Sequence, residues 1–224
     1  MLVGGGTPAS PMAGPGPYAP SWGEQMSGGP ERLWEDVQPV AARKILLAAV
    51  EAFAEQGYHG ATTRQIAKSA GMSPAAMYVH YSTKAELLRR ICLGVHEFLL
   101  LELHESLLGL DDPVERVRSL AFAFARGHAF NHQAARVVRT ELGALSTDDY
   151  ARVRESRATV GELFLHEIRA GIATGAFEVA DAVGTTRALT SMCTDIARWY
   201  RPSGPKSPED IGALYAHLVL KLLR

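Results

Sequence analysis

Only two cysteines occur in 224 residues, and neither belongs to a CxxC pair. That excludes a disulfide framework and a cysteine-based metal site, and it suits a reducing, cytoplasmic setting. Both thiols, Cys92 and Cys193, sit inside apolar helical patterns. Long hydrophobic runs are also missing. Glu, His or Arg interrupts every apolar stretch well short of the ~18 residues that suggest a membrane span, so no membrane partner is expected. The chain lacks a charged start followed by an apolar block, the mark of a secretory leader.

Catalytic signatures are equally scarce. There is no GxSxG and, in the part expected to fold, no glycine loop of the kind that cradles phosphate. His96-Glu97, His104-Glu105 and His166-Glu167 each lack the second histidine that a zinc-protease helix requires. His128 and His132 lie one helical turn apart but have no third ligand nearby in sequence. An enzyme, a cofactor and a metal centre are therefore not expected.

The formal net charge is −1, which by itself points neither toward nucleic acid nor away from it. Its distribution is more informative. Residues 40 to 90 carry seven Lys and Arg against three Glu, a surplus of +4 in an otherwise acidic-to-neutral chain. A local basic patch is the electrostatic footprint of a nucleic-acid partner.

Residues 1 to 30 hold eight Gly and six Pro with almost no apolar periodicity, so a disordered tail is expected over 1–38. Its two PxxP patterns read as products of low complexity. After Pro39 apolar residues recur at steps of three and four to the end of the chain, and no alternating strand pattern appears. The expectation is an all-α protein of about nine helices, with 39–88 and 89–224 as two domains.

One stretch is unusually explicit. Thr63 is placed to cap a short helix with Ile66 and Ala67 inside, and Gly71 can take the positive φ that stops it. Ser73 can cap a second helix, with Pro74 at its first turn, where a missing N–H costs nothing. Neither helix is long enough to stand alone. Together they read as a helix-turn-helix whose second helix leaves its outer face free for a major groove.

About fifty residues here resemble the TetR family of bacterial transcriptional regulators. The similarity lies in Phe53-Ala54-Glu55-Gln56-Gly57-Tyr58, Thr62 to Ala67, Gly71-Met72-Ser73, Met77 to Tyr81 and Lys84 to Leu88. The resemblance implies a ligand-responsive regulator, by family default a repressor with an activator as alternative, bound as a homodimer to a two-fold symmetric operator. Tyr78, His80 and Lys84 would hold phosphates of double-stranded DNA. Thr63, Arg64 and Ser73 are candidates for phosphate or base contacts, and Ser73, Ala75, Ala76 and Arg64 for base reading. Tyr81 is expected to point inward.

The same resemblance assigns the later helices to effector binding and dimerisation. Phe98, Phe124, Val138, Leu142, Phe164, Ile168 and Met192 are candidate cavity residues, and Leu189, Ile196, Leu214, Leu218 and Leu222 candidate dimer contacts. Arg136, Arg139, Arg154 and Arg157 are available to an acidic ligand. Ala197 to Pro202 looks like a segment of the family's repressors of lipid and steroid catabolism, which suggests a small hydrophobic or acyl-CoA-like effector. Gly161 stands where that branch would have a bulkier or charged residue. The rival reading is a helical dimeric adaptor that binds a peptide or protein without DNA.

Overall fold

Short polar residues start the helices. In the computed structural model, which describes residues 32–224, seven helices open on a Thr, Ser or Asp whose side chain accepts a hydrogen bond from the backbone N–H three residues on. Each such cap satisfies one of the N–H groups that a helix start leaves without a partner, and is worth about 1 kcal/mol. Most of the tail expected over 1–38 lies outside the described residues.

The elements are a 3-10 turn Arg32–Trp34, then α1 Val40–Gly60, α2 Thr63–Ser69, α3 Pro74–His80 and α4 Lys84–Glu105. They continue as α5 Pro113–Phe130, α6 His132–Thr140, a 3-10 turn Leu142–Ala144, α7 Thr147–Ala173, α8 Ala182–Thr194, the single turn α9 Ile196–Trp199 and α10 Pro208–Leu222. Among the described residues there are thus nine helices of two turns or more, one four-residue turn and no strand. The all-α expectation holds.

One cap falls one residue from its expected position. Thr62, not Thr63, caps α2, because Gln65 lies three residues after it and closes a capping box: its side-chain amide oxygen Oε1 accepts from the Thr62 N–H at 3.0 Å. Ser146 caps α7. Thr83 caps α4, and Glu86 sends its own bond to the N–H of Ser82 at 2.8 Å, one residue short of a closed box.

Two apolar clusters fill the molecule. The first joins α1, α2, α3 and the start of α4 to α6, with Phe53, Ile66, Met77, Leu87 and Val137 at its centre. The second lies between α5, α7, α8 and α10, around Phe122, Phe164, Ile168, Leu189 and Val219. The long helices α4 and α7 contribute to both clusters. Helix α4 runs unbroken through residue 88, from the first three helices to the second cluster. Trp34 folds back onto it, 3% exposed, above Gly94. A side chain at 94 would meet that ring, since an added Cβ would lie 2.8 Å from it.

Two of the expected dimer contacts belong to the interior of one subunit. Leu189 and Ile196 are 1% and 0% exposed, packed with Cys193 in the second cluster. The spacing 189–193–196 places all three on the stripe of α8 and α9 that faces α5 and α7, so the apolar pattern there records an internal contact. Leu214 and Leu218 are half-buried, and Leu222 is exposed.

Candidate nucleic-acid interface and effector cavity

The interface is built from α2 and α3. Ile66 and Ala67 from α2 and Met77 from α3 are buried against α1, which holds the short helices without any length of their own to stabilise them. Gly71 makes the turn between them at φ 72°. Tyr81 is buried as expected and its hydroxyl donates to the Ala42 carbonyl at 3.3 Å.

What remains outward is the other face of α3. Ser73, Ala75, Ala76, Tyr78 and Val79 are exposed, and His80 is half-buried. On α2, Arg64 is exposed and Thr63 half-buried. The Thr63 and Tyr78 hydroxyls lie 3.1 Å apart, which ties the start of α2 to the middle of α3. Val79 was absent from the expected contacts, yet it is 80% exposed. Its signal in the sequence was a β-branched apolar residue two positions after the buried Met77, too brief a pattern to separate from core.

Lys84 departs from expectation. Its ammonium donates to the carbonyls of Tyr58 at 2.7 Å and Ala61 at 2.9 Å, and sits 4.5 Å from the centre of the Tyr58 ring. These carbonyls belong to the bend where α1 kinks at Gly57 and hands over to α2. The physical reason is local. The bend leaves carbonyl oxygens without helical partners, and the first residue of α4 is the nearest donor.

Behind this head, α4, α5, α6, α7 and α8 enclose a cavity of about 340 Å³. Its apolar wall comes from Val95 and Leu99 of α4, Phe124 of α5, Val138 of α6 and Val160 of α7. Polar groups enter from the same helices: His96, His128, Arg139 and Arg157, with Thr190 and Ser191 from α8. Of the expected cavity residues, Phe124 and Val138 line it. The others do not. Phe98 borders two recesses beneath Leu33, Leu142 packs on the first cluster, and Met192 packs on the second. Phe164 and Ile168 are sealed in the second cluster, one and two helical turns beyond the last cavity residues of α7, and Phe164 meets Phe124 edge-on at 5.5 Å.

The four arginines divide in two. Arg139 and Arg157 reach the cavity, whereas Arg136 donates to the Ala54 carbonyl of α1 at 2.9 Å and Arg154 is exposed elsewhere. Arg139 is paired with Asp195 of α8 at 3.0 Å. His96 and His128 each use Nδ1 on a carbonyl of their own helix, Cys92 at 2.7 Å and Phe124 at 2.8 Å. A carbonyl can only accept, so each Nδ1 carries the proton and each Nε2 is an acceptor. Burial lowers both imidazoles and pushes His128 down to about 4, keeping it neutral. Sequence reasoning missed these histidines because a lone His on an apolar helix face has the same pattern as core.

Comparison with known proteins agrees at both ends of the chain. Residues 45–91 match the family model for bacterial regulatory proteins of the tetR family, and residues 110–223 match the tetracyclin repressor-like C-terminal domain. The HTH-type transcriptional regulator UidR of Escherichia coli K12 is 30% identical over 142 residues, covering 62% of this chain and 69% of UidR. The HTH-type transcriptional repressor KstR2 of Mycolicibacterium smegmatis is 27% identical over 190 residues, 82% of this chain and 91% of that protein. The crystal structure of a tetR-family regulatory protein from Rhodococcus RHA1 superposes with a TM-score of 0.77 at 35% identity, covering 83% of this chain and 98% of that one.

Proposed function

The chain belongs to the TetR family of bacterial transcriptional regulators, and from that premise we propose that it is a repressor which grips a palindromic operator as a homodimer and lets go when a small hydrophobic or acyl-type ligand enters the cavity. Regulators of this family are not enzymes. The observation that carries the proposal is the juxtaposition of an exposed α3 face with a cavity reached by the same long helix, α4.

On the DNA, Ala75, Ala76 and Val79 offer methyl groups to thymine, while Arg64 supplies the hydrogen-bonding readout and Tyr78, His80, Thr63 and Ser73 position the backbone. With so few donors on α3, sequence preference leans on Arg64 and on the shape of the duplex. Two heads about 34–36 Å apart meet successive major grooves, hence a two-fold symmetric site. For the dimer, the outer face of α10, with Leu214, Leu218 and Leu222 at helical spacing, is the contact surface, joined by the exposed Val183 of α8.

Helices α4 and α6 couple the two sites. Helix α6 lines the cavity with Val138 and, from another face, braces α1 through Arg136 and the Ala54 carbonyl. A ligand that moves α6 or α4 therefore changes the spacing of the heads. Ligand and operator then oppose each other by reciprocal linkage.

The test is footprinting on DNA flanking the coding region, followed by a metabolite screen for release. Binding is expected to fall by orders of magnitude between low and moderate salt, through counterion release. Salt-independent retention on duplex DNA, or equal operator affinity with and without a ligand seated in the cavity, would contradict the proposal.

A further inference from the structure

We propose that the effector is a hydroxylated carboxylic acid of modest size, its carboxylate taken by Arg157 and its hydroxyl donating to His128. This rests on reading the cavity as the effector site, and it adds the chemistry of what enters.

The first observation is an unneutralised cation. Arg139 beside it is matched by Asp195. Arg32, Arg116 and Arg126 all have carboxylate partners. Arg157 has none among the described residues: its Nε donates only to Nε2 of His96, at 3.4 Å. The residue as a whole keeps surface in water, but it also lines the cavity, and partial desolvation there presses against its charge, which a long bond to a neutral ring offsets little. A planar, five-donor fork without an acid on the protein side is suited to a carboxylate, which it can bind through two parallel bonds.

The second observation is a bare acceptor. With its Nδ1 proton given to Phe124, His128 turns an Nε2 lone pair to the cavity, and no described group donates to it. Burial keeps the ring neutral near physiological pH, so it cannot become a donor there. The partner it lacks is a hydroxyl or N–H. Arg157 and His128 line the same cavity, with His96 also on its wall and 3.4 Å from Arg157, so one ligand can present its carboxylate to the first and its hydroxyl to the second.

The third is size and lining. A volume of about 340 Å³ holds about eleven water-sized groups at roughly 30 Å³ each. It lies near the lower end of ligand pockets, which span roughly 300–1,000 Å³. Leu99, Phe124, Val138 and Val160 make the rest of the wall apolar, matching an alkyl body. A short 3-hydroxy acid meets all three conditions.

The experiment titrates the full-length protein by calorimetry with hexanoate, octanoate and decanoate, their 3-hydroxy forms, octanamide and octanoyl-CoA. Operator release by the same compounds is followed by fluorescence anisotropy. The 3-hydroxy acid of best length is expected to bind on the order of tenfold more tightly than the plain acid, and the plain acid on the order of tenfold more tightly than the amide. Arg157→Gln should erase the preference for acid over amide. His128→Phe should erase the preference for the hydroxylated acid over the plain one. No binding by any acid, equal binding of octanoate and octanamide, binding of the CoA ester alone, or an order unchanged by either substitution would overturn the inference. Binding of the acids without operator release would leave the ligand class standing and overturn the effector reading. Release by an uncharged, unhydroxylated metabolite that competes in the cavity would do the reverse.

Discussion

Replacing Lys84 by Met separates two accounts of one residue. The side chain donates two charge-assisted bonds to carbonyls of the α1–α2 bend, at 2.7 and 2.9 Å, and its ammonium rests on the Tyr58 ring. Hydrogen bonds to charged groups contribute about 1.5–3 kcal/mol each. Lys84 is half-buried and water can reach the vacated carbonyls from outside, so the lower end applies. Methionine keeps the packing over Tyr58 but not the attraction of a cation for the ring, worth about 0.5–1 kcal/mol at such a site. The summed loss is about 3.5–4 kcal/mol. For a protein of this length that lowers Tm by roughly 7–16 °C at fixed protomer concentration. Operator affinity should fall as the head loosens, while the slope of log K against log salt stays as in the parent, because no phosphate contact is lost. The assay pairs thermal unfolding with operator titrations across a salt series. An unchanged Tm with a salt slope reduced by about one per protomer would show that Lys84 leaves the bend for a phosphate, and would refute the structural assignment.

Further outcomes can be measured with the same preparations. Arg116→Met strands Glu167, which is 2% exposed and accepts two bonds from that guanidinium at 2.7 and 2.8 Å; a loss of about 3–5 kcal/mol in denaturant unfolding is expected, largely recovered by adding Glu167→Leu. Gly94→Ala drives a methyl into the Trp34 ring and should cost about 1–3 kcal/mol, with a red shift in tryptophan emission as the ring is expelled. The unfolded chain protonates His128 near 6.5 and the folded chain only near 4, so its contribution to stability is complete above pH 6.5. It is lost as pH falls toward 4, by up to about 3 kcal/mol, and His128→Phe should flatten that part of the stability profile. Arg64→Ala should weaken operator binding by about 1–3 kcal/mol and blur its sequence preference, whereas Tyr78→Phe should weaken all sequences alike.

The head was legible because its instructions are local. Ser73 and Pro74 open α3, Gly71 stops α2, and Thr83 opens α4, each through contacts within three or four residues. The one-residue misplacement of the α2 cap shows the limit of that reading: Thr62 and Thr63 are chemically alike, and the decision fell to the distance from Gln65. The cavity was less legible. Phe124 was named correctly, but Phe164, with the same residue type and helical spacing, is buried one turn away. Apolar residues at core and cavity positions have equal periodicity, so pattern alone could not tell which stripe closes on another helix and which on a void.

From its sequence alone this protein had determined an all-helical chain, the two-helix wedge and its flanking turns, since caps, glycine turns and 3.6-residue periodicity act between near neighbours in the chain. Only the tertiary structure decided that Lys84 turns inward, that Leu189 and Ile196 serve one subunit's core, and that His96, His128 and Arg157 converge on one space. Those arrangements join residues some twenty to sixty positions apart, and their energies come from packing and desolvation that exist only once the helices have met.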